Sequence, residues 1–209
     1  LRTYGGEDDK VEIERRVWRR PMGKLDVRIH GAARVYLRGA AGKSYSPSTA
    51  YQRVAGRSSH RDFFHAEDKF TVDLPPGEAV LEVAKGLEYV PESKKVAIRQ
   101  DEVSIVDVDL KRSASMNAAG WWSASDHVHM NYAGNLHNTP ENLMMMARAE
   151  DLDVVGDKVC NKDHRIFDHQ LFTGKPHALT NSEQILSFGE EYRPPFYGHI
   201  NFINLTKHL

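Results

Sequence analysis

The stretch from residue 121 to 160 constrains the fold more than any other, because it reads as strand, loop, helix, strand. Strand-like sequence begins at Trp121-Trp122 and continues through Ser125-Asp126-His127-Val128-His129-Met130-Asn131-Tyr132, followed by a polar loop to Asn138. Thr139-Pro140-Glu141 then marks a helix start. Threonine caps free N–H groups, proline fits the first helical position, and an acid favours the positive end of the helix dipole. Leu143, Met146 and Ala147 carry the helix to about Ala149, and the Met144-Met145-Met146 run reads as core filler. Leu152-Asp153-Val154-Val155 opens a second strand that reaches Val159-Cys160. Two strands joined by a helical crossover run parallel, so the segment predicts a parallel sheet or barrel. Ligands in such folds gather at the C-terminal ends of the strands. That places His129, Asn131, Tyr132, Asn161 and Lys162 around one mouth.

Successive side chains alternate across a strand, so His127 and His129 share a face. Two neutral imidazoles converging on one point are half a metal site. A chain with 11 histidines can produce such a pair by chance, so its context carries the argument. Only His30, His60 and His65 precede residue 127; the other eight histidines lie from His127 onward. Ser187-Phe188-Gly189-Glu190-Glu191-Tyr192 reads as a third strand ending in acids. After the Pro194-Pro195 turn, residues 198–205 read as a fourth, with His199 at its start. On spacing alone His199 is as well suited to a packed core position as to a ligand.

The first half has different chemistry. Leu25-Asp26-Val27-Arg28-Ile29, Phe70-Thr71-Val72-Asp73-Leu74 and Leu81-Glu82-Val83 alternate apolar and polar, and Pro75-Pro76-Gly77 is turn sequence between two of them. Val96-Ala97-Ile98 and residues 103–110 supply further strands. Short strands without a helix predict a β-sandwich, preceded by a charged arm with Arg15-Arg16 and Arg19-Arg20 around Trp18. Residues 41–68 read as a long loop carrying His60 and His65 as polar surface, and residues 111–120 as a linker. The expected division is an arm and sandwich over 1–112 and a second domain over 113–209.

A net charge of −1 offers no electrostatic reason for nucleic acid or an anionic membrane as partner, and no apolar run approaches the roughly 18 residues of a spanning helix. The one cysteine, Cys160, excludes an internal disulfide and a Cys-based zinc site; in an apolar strand it reads as packed rather than reactive. The sequence starts at Leu1 without a signal-like segment, as expected of a processed or trimmed chain, and localisation is not legible in it.

Residues 119–206 resemble the PHP (polymerase and histidinol phosphatase) superfamily of metal-dependent hydrolases, and within it the CehA/McbA-type metallohydrolases. The matching stretches are D-H-V-H-M-N-Y at 126–132, N-T-P-E-N-L at 138–143, A-E-D-L-D-V-V at 149–155, F-T-G-K-P at 172–176, and G-E-E-Y followed by G-H-I-N-F-I-N-L. The preceding sandwich is similar in pattern to a carboxypeptidase-regulatory-like β-domain. The resemblance implies a distorted TIM-like barrel with a metal cluster at its mouth, and a slight lean towards a secreted or periplasmic protein. His127, His129, Glu191 and His199 fall on the family's metal motifs, with Glu190 as a second acid beside them. Two positions depart from the pattern. Ser125 stands where the family has an aspartate two residues before the first histidine, and Asn161 or Asp157 would have to serve where many members carry Asp-His. Four strands do not close a ring, so a longer polypeptide or a homo-oligomer is expected.

Imidazoles with a carboxylate suit a borderline divalent ion, Zn, Mn or Fe. The resulting expectation is metal-dependent hydrolysis of an ester, amide or carbamate in a small-molecule substrate. Asn161 and Lys162 are the candidate catalytic groups, and Asn131, Tyr132 and Arg165 the candidate substrate contacts. A PHP-type phosphoesterase, with Lys162 and Arg165 near the mouth, and a non-catalytic metal-binding remnant beside a sandwich binding module are the alternatives.

Overall fold

The computed structural model describes residues 20–50, 62–131, 138–162 and 165–208, without the side chains of 161, 162 and 165. The basic-aromatic arm over residues 1–19, His60 and Tyr132 therefore lie outside the described residues, as do the side chains of Asn161, Lys162 and Arg165.

The first half is organised around one long strand, β1 (Gly23–Arg38). Leu25, Val27, Ile29, Val35 and Leu37 are buried along it while Lys24, Arg28 and Arg38 are exposed, the period-2 pattern of a strand with one face on a core. Its register against β2 (Phe63–Leu74) shifts between Arg28 and Ala32, where Gly31 takes φ +82°, a left-handed backbone that glycine adopts without a Cβ clash. The shift lets the two halves of β1 keep different partners. The first half pairs in parallel with β5 (Val103–Val108), the second antiparallel with β3 (Gly77–Ala84), and β3 pairs with β4 (Glu92–Ile98). The expected two-sheet sandwich is thus one hydrogen-bonded five-stranded sheet, ordered β2-β1-β3-β4 with β5 on β1, around a single core that includes Phe64, Phe70, Leu74 and Leu81.

The segment expected to be a loop over 41–68 is partly strand. β2 starts at Phe63, and His65 within it is a buried residue of the sheet. Phe63, Phe64 and Ala66 supply the apolar residues, but Asp62, Glu67 and Asp68 around them dilute the alternation that would have betrayed it.

In the second half, β6 (Ala124–Val128), α1 (Pro140–Ala149) and β7 (Val154–Lys162) form the expected strand–helix–strand unit, with β6 and β7 parallel. The hydroxyl of Thr139 accepts from the backbone N–H of Asn142, and Pro140 begins the helix, as its chemistry requires. β7 also runs parallel to β9 (Ile185–Tyr192). Two short strands, β8 (Arg165–Phe167) on β7 and β10 (Ile200–Phe202) on β9, are antiparallel. Leu143, Met144 and Ala147 of α1 pack with Val155, Val159, Leu186, Phe188 and Met130 in a second core on one face of this sheet.

The expected TIM-like PHP barrel does not form. Such a barrel alternates parallel strands with helices until the ring closes. Among the described residues the second sheet is open, ordered β10-β9-β7-β6, and α1 is the one α-helix. Among the described residues, the link from β7 to β9 holds only the antiparallel β8 and a 3₁₀ turn at His169–Leu171. Thr173-Gly174-Lys175-Pro176 and Thr180-Asn181-Ser182 in that link have turn chemistry and no 3.6-residue apolar period, so no crossover helix arises there.

The two halves are locked together by charge. Arg34 of β1 donates from Nε and an Nη to the two carboxylate oxygens of Glu150 at 2.8 and 2.6 Å, and His65 Nε2 lies 2.6 Å from one of them. Burial opposes the charge on Glu150, but the bonds from His65 and Arg34 outweigh it and hold the carboxyl below its usual range. Arg148 forks onto Glu67 at 2.8 and 3.0 Å beside it.

Candidate metal centre

The second sheet has a face away from α1, and its register decides which side chains stand there. Val155 and Val159 of β7 turn to the helix, so Lys158 and Cys160 turn the other way. Cys160 pairs with Glu191 of β9, and Glu191 pairs with Asn201 of β10. Residues opposite each other in a ladder share a face, so Cys160, Glu191 and Asn201 stand together. His127 and His129, whose rings are 5.0 Å apart between centroids, reach the same place from the end of β6.

The Glu191 side chain is fully buried at the centre of this group. His127 Nε2 lies 3.4 Å from Oε1, His129 Nε2 lies 3.0 Å from Oε2, and His199 Nδ1 lies 2.6 Å from Oε1. All three approaches are off the hydrogen-bond line: neither carboxylate oxygen accepts a hydrogen bond among the described residues. His127, His129 and Glu191 offer ligand atoms that all lie within 4.8 Å of one another.

The surrounding bonds set the state of each ring. His129 Nδ1 lies 3.2 Å from the carbonyl oxygen of Lys158, which can only accept, so Nδ1 carries the proton. Burial pushes the His129 pKa down, against the pull of Glu191, and favours the neutral ring. A neutral ring with its proton on Nδ1 turns a bare Nε2 lone pair to the carboxylate. Two acceptors then face each other, an arrangement that is repulsive until a cation lies between them. His127 Nδ1 is 3.4 Å from the amide of Asn201, and His199 Nε2 accepts from Arg193 Nε at 3.1 Å. Cys160 lies beneath His129, its Sγ 3.6 Å from Nδ1, and burial pushes its thiol up to about 11, which keeps it protonated and inert.

Glu190 faces the other way and engages His208. Asp157, an alternative ligand from sequence, is on the helix side. Its Oδ1 accepts from the N–H of Met130 at 2.7 Å, its Oδ2 has no partner among the described residues, and burial raises the carboxyl to about 7. Asn131 braces the loop around residue 138 rather than opening to the cluster. It donates to the carbonyl of Asn138 and to Asp168 at 3.2 and 2.7 Å, and accepts from the N–H of Asn138 at 2.8 Å. Sequence reasoning missed Arg193 and Asn201. Each lies two residues beyond a candidate ligand, Glu191 and His199, and the period of a strand was the signal that could have found them.

Fold and cluster together define a β-rich protein with two cores and a buried carboxylate ringed by imidazoles. No family model and no curated protein matches the chain. Among solved structures it is similar to GBS52, the minor pilin of the Gram-positive pathogen Streptococcus agalactiae, at 17% identity and a TM-score of 0.32. That match covers 46% of this chain and 46% of the pilin chain, so less than half of each is aligned. The hydrolase family expected from sequence gains no support from these comparisons.

Proposed function

We propose that His127, His129 and Glu191 hold a divalent cation, with His199 completing the set, and that the site hydrolyses an ester, amide or carbamate bond in a small molecule. The observation that carries this reading is Glu191: a buried carboxylate with two unsatisfied oxygens, faced by three imidazole nitrogens within 3.4 Å. A buried charge left without full compensation costs several kcal/mol; Arg193 Nε at 3.9 Å offsets part of it, and a cation offsets the rest. The donor set, imidazole nitrogen with one carboxylate, suits Zn, Mn or Fe over Mg or Ca, which prefer all-oxygen cages.

A bound ion of this kind supplies Lewis acidity and an activated water near neutral pH. The protein's part is positioning. The Lys158 carbonyl orients His129 so that its unprotonated Nε2 points at Glu191, and the Asn201 amide fixes the His127 ring from its Nδ1 side. His127 and His199 are nearly half exposed, His129 is half-buried and Glu191 is buried, so among the described residues the cluster is open on one side to a substrate. Dialysis against Zn²⁺, Mn²⁺ or Fe²⁺ followed by elemental analysis tests the cation. A panel of 4-nitrophenyl esters, an aryl carbamate and a phosphodiester tests the reaction. Stoichiometric metal with ester or carbamate turnover is the expected result. Turnover of the phosphodiester alone would replace it with a phosphoesterase, and metal without turnover with a binding site.

A further inference from the structure

We propose that Arg193 is a latch on the cation site: it holds His199 in the tautomer that cannot ligate, and it must let go for the ion to be fully coordinated. This deepens the cation reading above and rests on it.

Arg193 Nε is a donor that guanidinium never loses, and it points at His199 Nε2 at 3.1 Å. Nε2 must therefore present its lone pair to Arg193, and a neutral ring then carries its proton on Nδ1. Nδ1 is the nitrogen that faces the cluster, 2.6 Å from Glu191 Oε1. A protonated nitrogen cannot bind a metal ion. For Nδ1 to ligate, the ring must exchange tautomers. The proton leaves Nδ1, one returns to Nε2, and the ring's charge is unchanged. Nε2–H and the Arg193 N–H are then two donors facing each other, so the Arg193–His199 bond breaks.

Arg193 also competes by charge. Its Nε lies 3.9 Å from Glu191 Oε1, so the guanidinium partly neutralises the buried carboxylate that a cation would otherwise neutralise. The side chain is anchored within the sheet's own face, where it also reaches the Cys160 thiol, yet it is 23% exposed and has a route outward. Arg193 follows Glu191 by two residues, just past the end of β9, and Pro194-Pro195 then turns the chain back to bring in His199. One short segment thus carries the ligand acid, the latch and the ligand histidine.

The test uses the whole chain and Zn²⁺ as the probe. Isothermal titration compares wild type with Arg193→Met and Arg193→Lys, and circular dichroism checks that each is folded. Removing the latch and its charge is expected to tighten Zn²⁺ binding by roughly tenfold in Arg193→Met, with Arg193→Lys, which keeps the charge without the planar fork, falling between. Long-range ¹H–¹⁵N spectra of wild type give an independent readout. His199 is expected to carry its proton on Nδ1 without metal and on Nε2 at saturating Zn²⁺. Equal affinities in wild type and Arg193→Met, or a His199 Nε2 that stays unprotonated in the loaded protein, would overturn the latch alone. No Zn²⁺ uptake by any of the three proteins would overturn the cation site itself, and the latch with it.

Discussion

Nε2 of His129 stands 3.0 Å from Oε2 of Glu191, while Nδ1 of the same ring is committed to the carbonyl of Lys158 at 3.2 Å. The pair is therefore acceptor against acceptor, which under the proposed cation reading the ion resolves. His127→Ala and His129→Ala are each expected to weaken Zn²⁺ binding by about 10²-fold or more, with the first sheet still folded, because its core is separate. Equilibrium dialysis with near-ultraviolet circular dichroism measures both. Unchanged stoichiometry in both variants would sink the assignment.

The two adjacent acids give a sharper test of register. Glu191 points into the imidazole cluster and Glu190 to His208 on the opposite face. Glu191→Gln should lose the metal and Glu190→Gln should keep it, as read by elemental analysis of the purified variants. The reverse outcome would put the strand off by one residue.

Gly189 is required for β10 to lie where it does. A Cβ at that position would stand 2.5 Å from the carbonyl oxygen of Phe202 and 3.0 Å from Lys158 Nζ, which itself donates to that carbonyl at 3.3 Å. Gly189→Ala should push β10 away and carry Asn201 off His127, costing roughly 1–3 kcal/mol of stability and loosening the metal. Thermal melts and Zn²⁺ titration check the two effects together. A variant with wild-type melting and affinity would show that β10 is not held there.

Acid should weaken the lock between the halves. The folded pKa of Glu150 is lowered, so its contribution is present above its unfolded value and is lost as pH falls through the folded one. Glu150→Gln is expected to cost roughly 1–3 kcal/mol at neutral pH, since the group is only partly buried, and to make denaturant midpoints less sensitive to pH below about 4.5. Parallel pH profiles for variant and wild type would contradict this.

Asp157 should act with the opposite sign. Burial raises its folded pKa to about 7 from 3.8, so the folded state holds its proton more tightly, and stability falls as pH rises between those values. In metal-free protein, Asp157→Asn should flatten that decline, as read from urea midpoints at pH 4 to 8. An undiminished slope in the variant would place the titrating group elsewhere.

Local chemistry made part of this protein legible from its sequence. Thr139 and Pro140 determine where α1 starts because capping and a missing N–H act within one turn. The shared face of His127 and His129, and the opposite faces of Glu190 and Glu191, follow from the two-residue period of a strand; which acid meets the imidazoles came from the resemblance, and the structure brings Glu191 to them. The parallel pairing of β6 and β7 follows from the helix between them. Tertiary structure alone decided the rest. That β1 is shared by β2, β3 and β5, and that the second sheet stays open, depend on ladder bonds between residues far apart in the chain, which no local pattern encodes. His65 looked like loop surface and became a buried partner of Glu150, 85 residues away, because only folding brings a lone histidine to its acid. The same holds for Arg193. Its place beside Glu191 is a matter of period, but its hold on His199 exists because the Pro194-Pro195 turn folds the chain back on itself.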